Sequence, residues 1–301
     1  MKNKKNKKKI KKSLILLIIS VFFVSFISSC GNSSEEMIIV AGSTSVAPFA
    51  EMLAEAYFHL YPEYEVDIQG GGSSAGVAAA LSHTAEIGMS SRYMKESELD
   101  SLKDTGEEWY IIEIAKDGLA IIVHEDNPVK DLTLEQLRAI YSAEVTNWKD
   151  LGGNDAKIHV ITREEGSGTR SAFEELVMGE SYITPKAIVQ DSNGSVRLLV
   201  SDNKNSIGFI SLGLVEGEHG QKPVKALHLE GIEAKVENVR NHSYKLYRPF
   251  LFITVVQEGK EPEGLTKKFI DFTLSTEGQQ ILISEGLIPH IDIDLIDIDI
   301  E

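Results

Sequence analysis

The feature that most constrains the fold is a loop pattern that occurs four times. Each time, a short strand-like segment runs into a loop rich in Gly, Ser and Thr, and a helix-like segment follows at once. The four loops lie at residues 41–45, 70–76, 163–169 and 191–195. Alternation of strands and helices is the pattern of α/β proteins.

The segments around these loops extend the alternation along most of the chain. Strands are predicted at residues 37–40, 65–69, 86–89, 110–114, 119–123, 157–162, 207–210 and 251–255. Helices are predicted at residues 46–60, 77–81, 196–200 and 269–283, and after residue 169. A further helix is predicted after a capping box formed by Thr133 and Gln136. A body of about 265 residues exceeds the size at which single cores usually divide, so we expect two α/β lobes.

Each loop places its polar residues at the start of a helix, where backbone N–H groups are unpaired and the helix dipole is positive. Glycine lets a ligand approach the backbone, and Ser or Thr adds hydroxyl donors, so such a terminus is suited to anions. Two loops also have an arginine nearby, Arg163 in the third loop and Arg92 after the strand at 86–89. Because no loop has a Walker pattern, a small oxyanion fits better than a nucleotide.

The overall charge excludes one class of partner. The formal net charge is −16, and eight of the 30 basic residues but none of the 46 acidic ones precede residue 30. The remainder is therefore more acidic still, and it would repel the phosphates of a nucleic acid. Oriented dipoles and a few arginines can still bind an anion locally, because distant exposed charges are screened.

The N-terminus predicts export. Residues 1–29 combine eight lysines, an apolar run and small residues at the end, as in a signal peptide. The apolar run is short for a transmembrane span. An uncleaved membrane anchor is the alternative. The end of this segment resembles a bacterial lipobox with Cys30 as the first mature residue. That resemblance implies lipidation of Cys30, the single cysteine of the chain, and residues 30–36 form a polar tether.

The ordered set of motifs resembles the phosphate-binding lipoproteins of bacterial phosphate ABC transporters over essentially the whole mature chain. The motifs are AGSTS at 41–45, GGGSSAG at 70–76, IGMSSR at 87–92, DGLA at 117–120, NWKDLGG at 147–153, the loop at 163–169, SNG at 192–194, IGFISLG at 207–213 and RP at 248–249. The resemblance implies a two-lobed α/β fold of the type II periplasmic-binding-protein kind, with two crossing strands and a ligand cleft between the lobes. Lobe one would comprise residues 37–118 plus 248–301, and lobe two residues 119–247.

The resemblance also implies a function. It implies a monomeric, lipid-anchored protein that faces the periplasm or cell exterior, binds inorganic phosphate and delivers it to the permease and ATPase subunits of an ABC importer, without catalysis, cofactor or metal. Carried over by position, the implied phosphate-binding residues are Ser43, Thr44, Ser45, Ser73, Ser74, Ser91, Arg92, Arg163, Ser167, Gly168 and Thr169. Supporting roles are implied for Glu86, Glu165, Asn193 and Gly194, with Glu165 as the acidic partner of Arg163.

One departure from the family bears on ligand selectivity. Some members have an aspartate at the position of Ser91, and a carboxylate there accepts a proton from phosphate and repels sulfate, which has none. Candidates for that acceptor in this chain are Glu86, Glu164 and Glu165. Sulfate and molybdate therefore remain alternative ligands.

Two other function classes remain as alternatives. Residues 72–76 fit the G-x-S-x-G elbow of α/β-hydrolases, with Ser74 as the nucleophile, although five small residues arise readily by chance. An envelope interaction protein could use the same fold without transport. The eight histidines show no metal-ligand spacing, so no metal site is predicted.

Overall fold

The computed structural model describes residues 36–216 and 222–290. Its strands are β1 Glu36–Gly42, β2 Tyr64–Gly70, β3 Ile87–Ser90, β4 Glu107–His124, β5 Asp131–Leu132, β6 His159–Arg163, β7 Ile188–Gln190, β8 Ser206–Ser211, β9 Val224–Ala226, β10 His228–Leu229, β11 Tyr247–Gln257 and β12 Ile288–Pro289. Its α-helices are α1 Ala47–Leu60, α2 Ser73–Leu81, α3 Glu96–Leu99, α4 Leu134–Ser142, α5 Gly168–Phe173, α6 Asn193–Asp202, α7 Val236–Arg240, α8 Gly264–Leu274 and α9 Thr276–Ser284. Residues 1–35 and 291–301 lie outside the described part, and with them the predicted signal peptide and the predicted lipidation at Cys30.

Ten of the described strands form one sheet in the order β2-β1-β3-β11-β4-β8-β6-β7, with β9 and β12 also paired to β4. Pairing is parallel between β1 and β3, and between β6 and both β7 and β8. The central strands β4 and β11 are antiparallel to each other and to their neighbours β8 and β3. We call the β1–β3 side lobe one and the β6–β8 side lobe two.

Strand β4 runs through both lobes. It pairs with β11 from Glu107 to Gly118 and with β8 from Leu119 to Val123. The two strands predicted at 110–114 and 119–123 are therefore one, and the prediction of a break was wrong. Residues 115–118, which lie between the two predicted strands, stay extended because they pair with residues 247–250 of β11. The predicted lobe boundaries stay a prediction.

Each lobe has its own hydrophobic core. In lobe one, Val40, Phe49, Leu53 and Phe252 are buried together with the C-terminal helices. In lobe two, Phe173 stacks on Phe209 with ring centroids 4.2 Å apart. Burying such side chains stabilises each lobe by about 1.5–3 kcal/mol per residue.

The predicted helices form, with differences at their ends. Helix α1 and the capping box at Thr133 and Gln136 are confirmed. The helix predicted at 269–283 is two helices, because Ser275 has an extended backbone and its side chain caps α9 through the Gly278 N–H. No helix within residues 36–216 and 222–290 is both long and apolar enough to cross a membrane.

Candidate functional site

The four predicted loops meet between the lobes and contact one another. Ser45 Oγ lies 2.8 Å from Thr169 Oγ1, and Asn193 Nδ2 donates to Ser45 Oγ at 2.9 Å. The Ser74 N–H donates to the Gly166 carbonyl at 3.1 Å. Loops that are far apart in the sequence are thus brought together, as the pattern of four similar loops predicted. We call these residues, with those described below, the loop cluster.

Two lobe-one helices begin at the loop cluster without a side-chain cap. Helix α1 follows Val46 and helix α2 follows Gly72, and neither of these residues makes a capping side-chain hydrogen bond. Gly72 has φ +91°, in the region that favours glycine. Helix α2 begins at Ser73, four residues before the predicted start, so Ser73 and Ser74 lie in its first turn. The first turns of both helices therefore lie at the loop cluster. The N–H groups of Ala47 and Phe49 in α1 already donate to the Ser43 and Val46 carbonyls, so the start of α2 is the better of the two for an anion.

The hydroxyls of three lobe-one serines form a buried cluster near the ends of β1 and β3. Ser43 Oγ donates to Ser91 Oγ at 3.0 Å, Ser73 Oγ lies 3.4 Å from Ser91 Oγ, and the Ser91 N–H donates to Ser73 Oγ at 3.0 Å. All three residues are buried. Gly168 of lobe two packs against this group so closely that a Cβ there would lie 2.2 Å from Ser73 Oγ.

Arg163 supplies a buried positive charge at the end of β6 and is only 1% exposed. Its Nη2 donates to Thr44 Oγ1 at 3.0 Å and to the Asp191 carbonyl at 3.1 Å. Its Nη1 is buried and has no hydrogen-bond partner among the described residues. Leaving a buried guanidinium N–H unpaired costs free energy, so this atom fits an acceptor oxygen brought by a ligand.

The carboxylate that pairs with Arg163 is Glu164, and the prediction that it would be Glu165 was wrong. Arg163 Nε and Nη2 donate to the two Glu164 carboxylate oxygens, each at 2.9 Å. A turn begins at Glu164, where the Ser167 N–H donates to the Glu164 carbonyl. The chain leaves β6 there, so the Glu164 side chain reaches back to its neighbour while Glu165 is exposed.

Glu86 lies at the opposite end of β3 from Ser91, away from the loop cluster, and its supporting role stays a prediction. It is exposed, and its Oε2 accepts a hydrogen bond from the Ile39 N–H at 2.7 Å. Gly194 lies in the first turn of α6, but the nearest side-chain atom to a Cβ there is its neighbour Ser192 Oγ at 4.0 Å. Of the four supporting residues, Asn193 contacts the loop cluster directly through Ser45.

Arg92 borders the loop cluster, with its charge paired. Its Nη2 donates to Ser74 Oγ at 3.0 Å, and both Nη atoms donate to the Glu98 carboxylate. Burial alone would raise the pKa of Glu98, but the hydrogen bonds from Arg92 and the Lys95 N–H and the Arg92 charge outweigh burial and lower it. Glu98 therefore stays ionised and neutralises Arg92.

The structure adds a third ion pair, between two residues that were not among the predicted binding residues. Arg248 of β11 donates from Nε and Nη2 to Asp117 Oδ2 of β4 at 3.2 and 3.0 Å, and both residues are buried. Arg248 also donates to Ser45 Oγ at 3.1 Å and Ser91 Oγ at 3.4 Å. Burial raises the pKa of Asp117 and lowers the pKa of Arg248, while their mutual attraction opposes both changes.

The third loop caps a lobe-two helix. Ser167 is the N-cap of α5, and its Oγ accepts a hydrogen bond from the Arg170 N–H. Ser167, Gly168 and Thr169 are buried. Three arginines thus reach the loop cluster, each paired with a carboxylate. The cluster is close to electroneutral, and hydroxyl and N–H donors supply the remaining attraction for an anion.

The comparisons with known proteins agree with this arrangement. The profile of a family described as "PBP superfamily domain" matches residues 29–277. The "Phosphate-binding protein PstS" of Pseudomonas aeruginosa is 35% identical, with 82% of this chain and 81% of that protein covered. The chain belongs to the family of ABC-transporter phosphate-binding proteins.

Solved structures in the family have the same two-lobed fold. A putative phosphate ABC transporter substrate-binding protein from Clostridium perfringens, solved with bound phosphate, is 44% identical, with a TM-score of 0.76 over 84% of this chain and 99% of that one. An ABC-type phosphate transport receptor from Vibrio cholerae is 41% identical, with a TM-score of 0.67 over 83% and 99%.

Members of this family are substrate-binding transport proteins rather than enzymes. The hydrolase alternative also lacks support at Ser74. Its Oγ accepts a hydrogen bond from Arg92, and a guanidinium cannot act as the general base that a serine nucleophile needs.

Proposed function

We propose that this protein captures inorganic phosphate in the cleft between its lobes and delivers it to an ABC import permease. The P. aeruginosa and C. perfringens relatives support phosphate as the ligand. The observation that carries the proposal is the buried Arg163 Nη1, which has no acceptor among the described residues, on a guanidinium whose Nη2 donates to Thr44. A phosphate oxygen would satisfy it with a charge-assisted hydrogen bond.

The proposed contacts follow from what the loop cluster offers. Arg163 would donate from Nη1, and the first turns of α2 and α5 would donate N–H groups. Hydroxyls of Thr44, Ser73 and Thr169 would complete the shell, with Ser43, Ser45 and Ser91 bonded behind them and Ser74, Ser167 and Gly168 at its edge. Desolvating phosphate is costly, and these donors offset that cost because they are held in place by buried contacts.

Among the three carboxylates considered for selectivity, Glu164 is the one beside the loop cluster. Each of its oxygens accepts one N–H from Arg163 and keeps a second acceptor direction. We therefore assign it the role of accepting a hydrogen bond from a phosphate P–OH group.

We also propose that the mature protein is a lipid-anchored monomer outside the cytoplasmic membrane. The lone Cys30 at the end of a signal-like segment supports the anchor. Mass spectrometry of the mature N-terminal peptide tests it: a diacylglyceryl thioether on Cys30 is expected, and an unmodified cysteine contradicts it. Analytical ultracentrifugation of residues 31–301 tests the oligomeric state: we expect the mass of one chain, and the mass of a dimer would contradict the proposal.

Calorimetry on phosphate-stripped residues 31–301 tests the function. We expect tight phosphate binding with little response to sulfate or molybdate. Preference for another oxyanion would reassign the ligand within the same fold. Absence of heat with all three would contradict the proposal and favour an interaction protein.

A further inference from the structure

We propose that Arg248 is a positioning residue for the anion: through its bonds to Ser45 and Ser91 it makes the hydroxyls of the loop cluster donate toward the ligand. The inference rests on the proposed function, since it concerns how the same cluster binds phosphate. Arg248 was not among the binding residues predicted from the sequence.

The oxygen of Ser45 can accept two hydrogen bonds, and its hydroxyl can donate one. Both acceptor directions are occupied, by Arg248 Nη2 at 3.1 Å and Asn193 Nδ2 at 2.9 Å. The orientation of the Asn193 amide is set independently, because its Oδ1 accepts from the Ser211 N–H at 3.3 Å. The Ser45 proton must therefore point away from Arg248 and Asn193.

The acceptor available for that proton is Thr169 Oγ1, 2.8 Å from Ser45 Oγ. A Thr169 oxygen that accepts from Ser45 directs its own hydroxyl proton elsewhere. Thr169 follows Gly168 in the first turn of α5, at the loop that carries Arg163. The direction set by Arg248 is thus passed from lobe one to a lobe-two hydroxyl.

A second relay runs through lobe one. Ser91 Oγ accepts from Ser43 Oγ at 3.0 Å and from Arg248 Nη1 at 3.4 Å. Its proton is then left for Ser73 Oγ, 3.4 Å away, which also accepts from the Ser91 N–H. With both acceptor directions of Ser73 occupied, its hydroxyl is a donor as well. Both relays end in donors, which suits the unprotonated oxygens of an oxyanion.

Asp117 keeps Arg248 in this position. The two residues are cross-strand partners on β4 and β11, one residue from the point where β4 changes partner from β11 to β8. Asp117 Oδ1 also accepts from Ser211 Oγ at 2.8 Å. A planar guanidinium can serve Asp117, Ser45 and Ser91 at once, whereas a lysine ammonium at the same position lacks that fork.

A double-mutant cycle tests the proposal by calorimetric phosphate titration. Arg248→Met is combined with Asp117→Asn, so that no buried carboxylate is left unpaired, and the pair is introduced into the wild-type and Ser45→Ala proteins. We expect about 10- to 100-fold weaker phosphate binding in the wild-type background. In the Ser45→Ala background, the fold-loss of phosphate affinity caused by the same change should be less than about a third of the loss in the wild-type background, because one relay is already broken.

Controls separate the role from a structural one. Arg248→Lys keeps the positive charge but not the guanidinium fork, so it should bind phosphate more weakly than the wild-type protein does. Arg197→Met removes another buried arginine, which donates to the Val215 and Glu216 carbonyls of lobe two, and should leave phosphate affinity unchanged. Equal losses in both backgrounds, or wild-type affinity after the Arg248 change, would overturn the proposal. Absence of phosphate binding by the wild-type protein would instead contradict the proposed function.

Discussion

Replacing Gly168 by alanine should weaken phosphate binding while leaving the ligand-free protein intact. A Cβ at this position would lie 2.2 Å from Ser73 Oγ and 2.5 Å from Ser91 Oγ, whereas ordinary contacts lie at 3.4–4 Å. The loops must therefore separate by more than about 1 Å to admit the methyl group. Because Gly168 is in lobe two and both serines are in lobe one, the added methyl opposes closure rather than folding.

The size of the effect follows from the cost of overpacking. Inserting a methyl group into a well-packed site costs about 1–3 kcal/mol, which corresponds to about 5- to 150-fold weaker binding. The assay is calorimetric titration of phosphate, with thermal unfolding in the absence of phosphate as the measure of folding. We expect the phosphate affinity to fall and the ligand-free Tm to stay within about 2 °C of wild type.

Gly166→Ala is the matched control in the same loop. A Cβ there would meet Ser74 Cβ at 3.9 Å, an ordinary contact. Equal phosphate affinities of Gly168→Ala and Gly166→Ala would contradict the predicted clash with Ser73 and Ser91. A large fall in the ligand-free Tm of Gly168→Ala would equally show that the methyl group disturbs folding rather than closure.

Three further predictions concern selectivity and pH. Glu164→Gln should reduce the preference for phosphate over sulfate by about tenfold in competition titrations, since a neutral amide no longer repels sulfate and its NH2 group can donate to it; an unchanged ratio would assign the selective role elsewhere. Burial raises the pKa of Tyr244, so the unfolded chain loses this proton first and the Tm should fall as the pH rises above about 10, less steeply in Tyr244→Phe; equal slopes would contradict this. The pKa of Glu98 is lowered in the folded protein, so its contribution to stability is present above about pH 4.5 and is lost as the pH falls through the folded pKa. In Glu98→Gln, the urea midpoint of unfolding should therefore depend less on pH over that acid range. An unaltered pH dependence would count against the Arg92–Glu98 pair.

The fold could be read from the sequence where the signal was local. Periodic apolar residues predicted α1, and a strand, a loop of small residues and a helix in succession marked all four loops that meet between the lobes. The break predicted between residues 114 and 119 was wrong because Lys116, Asp117 and Gly118 do not look like strand residues. Their extended conformation depends on pairing with β11, which lies 131 residues further along at the Asp117–Arg248 pair.

The site was predictable to the same extent and for the same reason. Ser45, Thr169 and Asn193 were identified because loop composition marks them, and the structure brings them into contact. Glu165 was chosen over Glu164 by position in a motif, but the turn at the end of β6 decides which side chain reaches Arg163. Asp117 and Arg248 carry no local signal of binding, since only their cross-strand register shows that they form a pair beneath the loops.

The most direct test of the account is the phosphate affinity of Arg163→Met beside that of Arg138→Met. Arg163 has a buried N–H without a partner among the described residues, whereas Arg138 donates to the Val177 carbonyl away from the loop cluster. Removing the charged partner of a buried anion should weaken binding by about 100-fold or more in Arg163→Met, with wild-type affinity in Arg138→Met. Near-wild-type affinity in a folded Arg163→Met protein would contradict the claim that phosphate binds at the loop cluster.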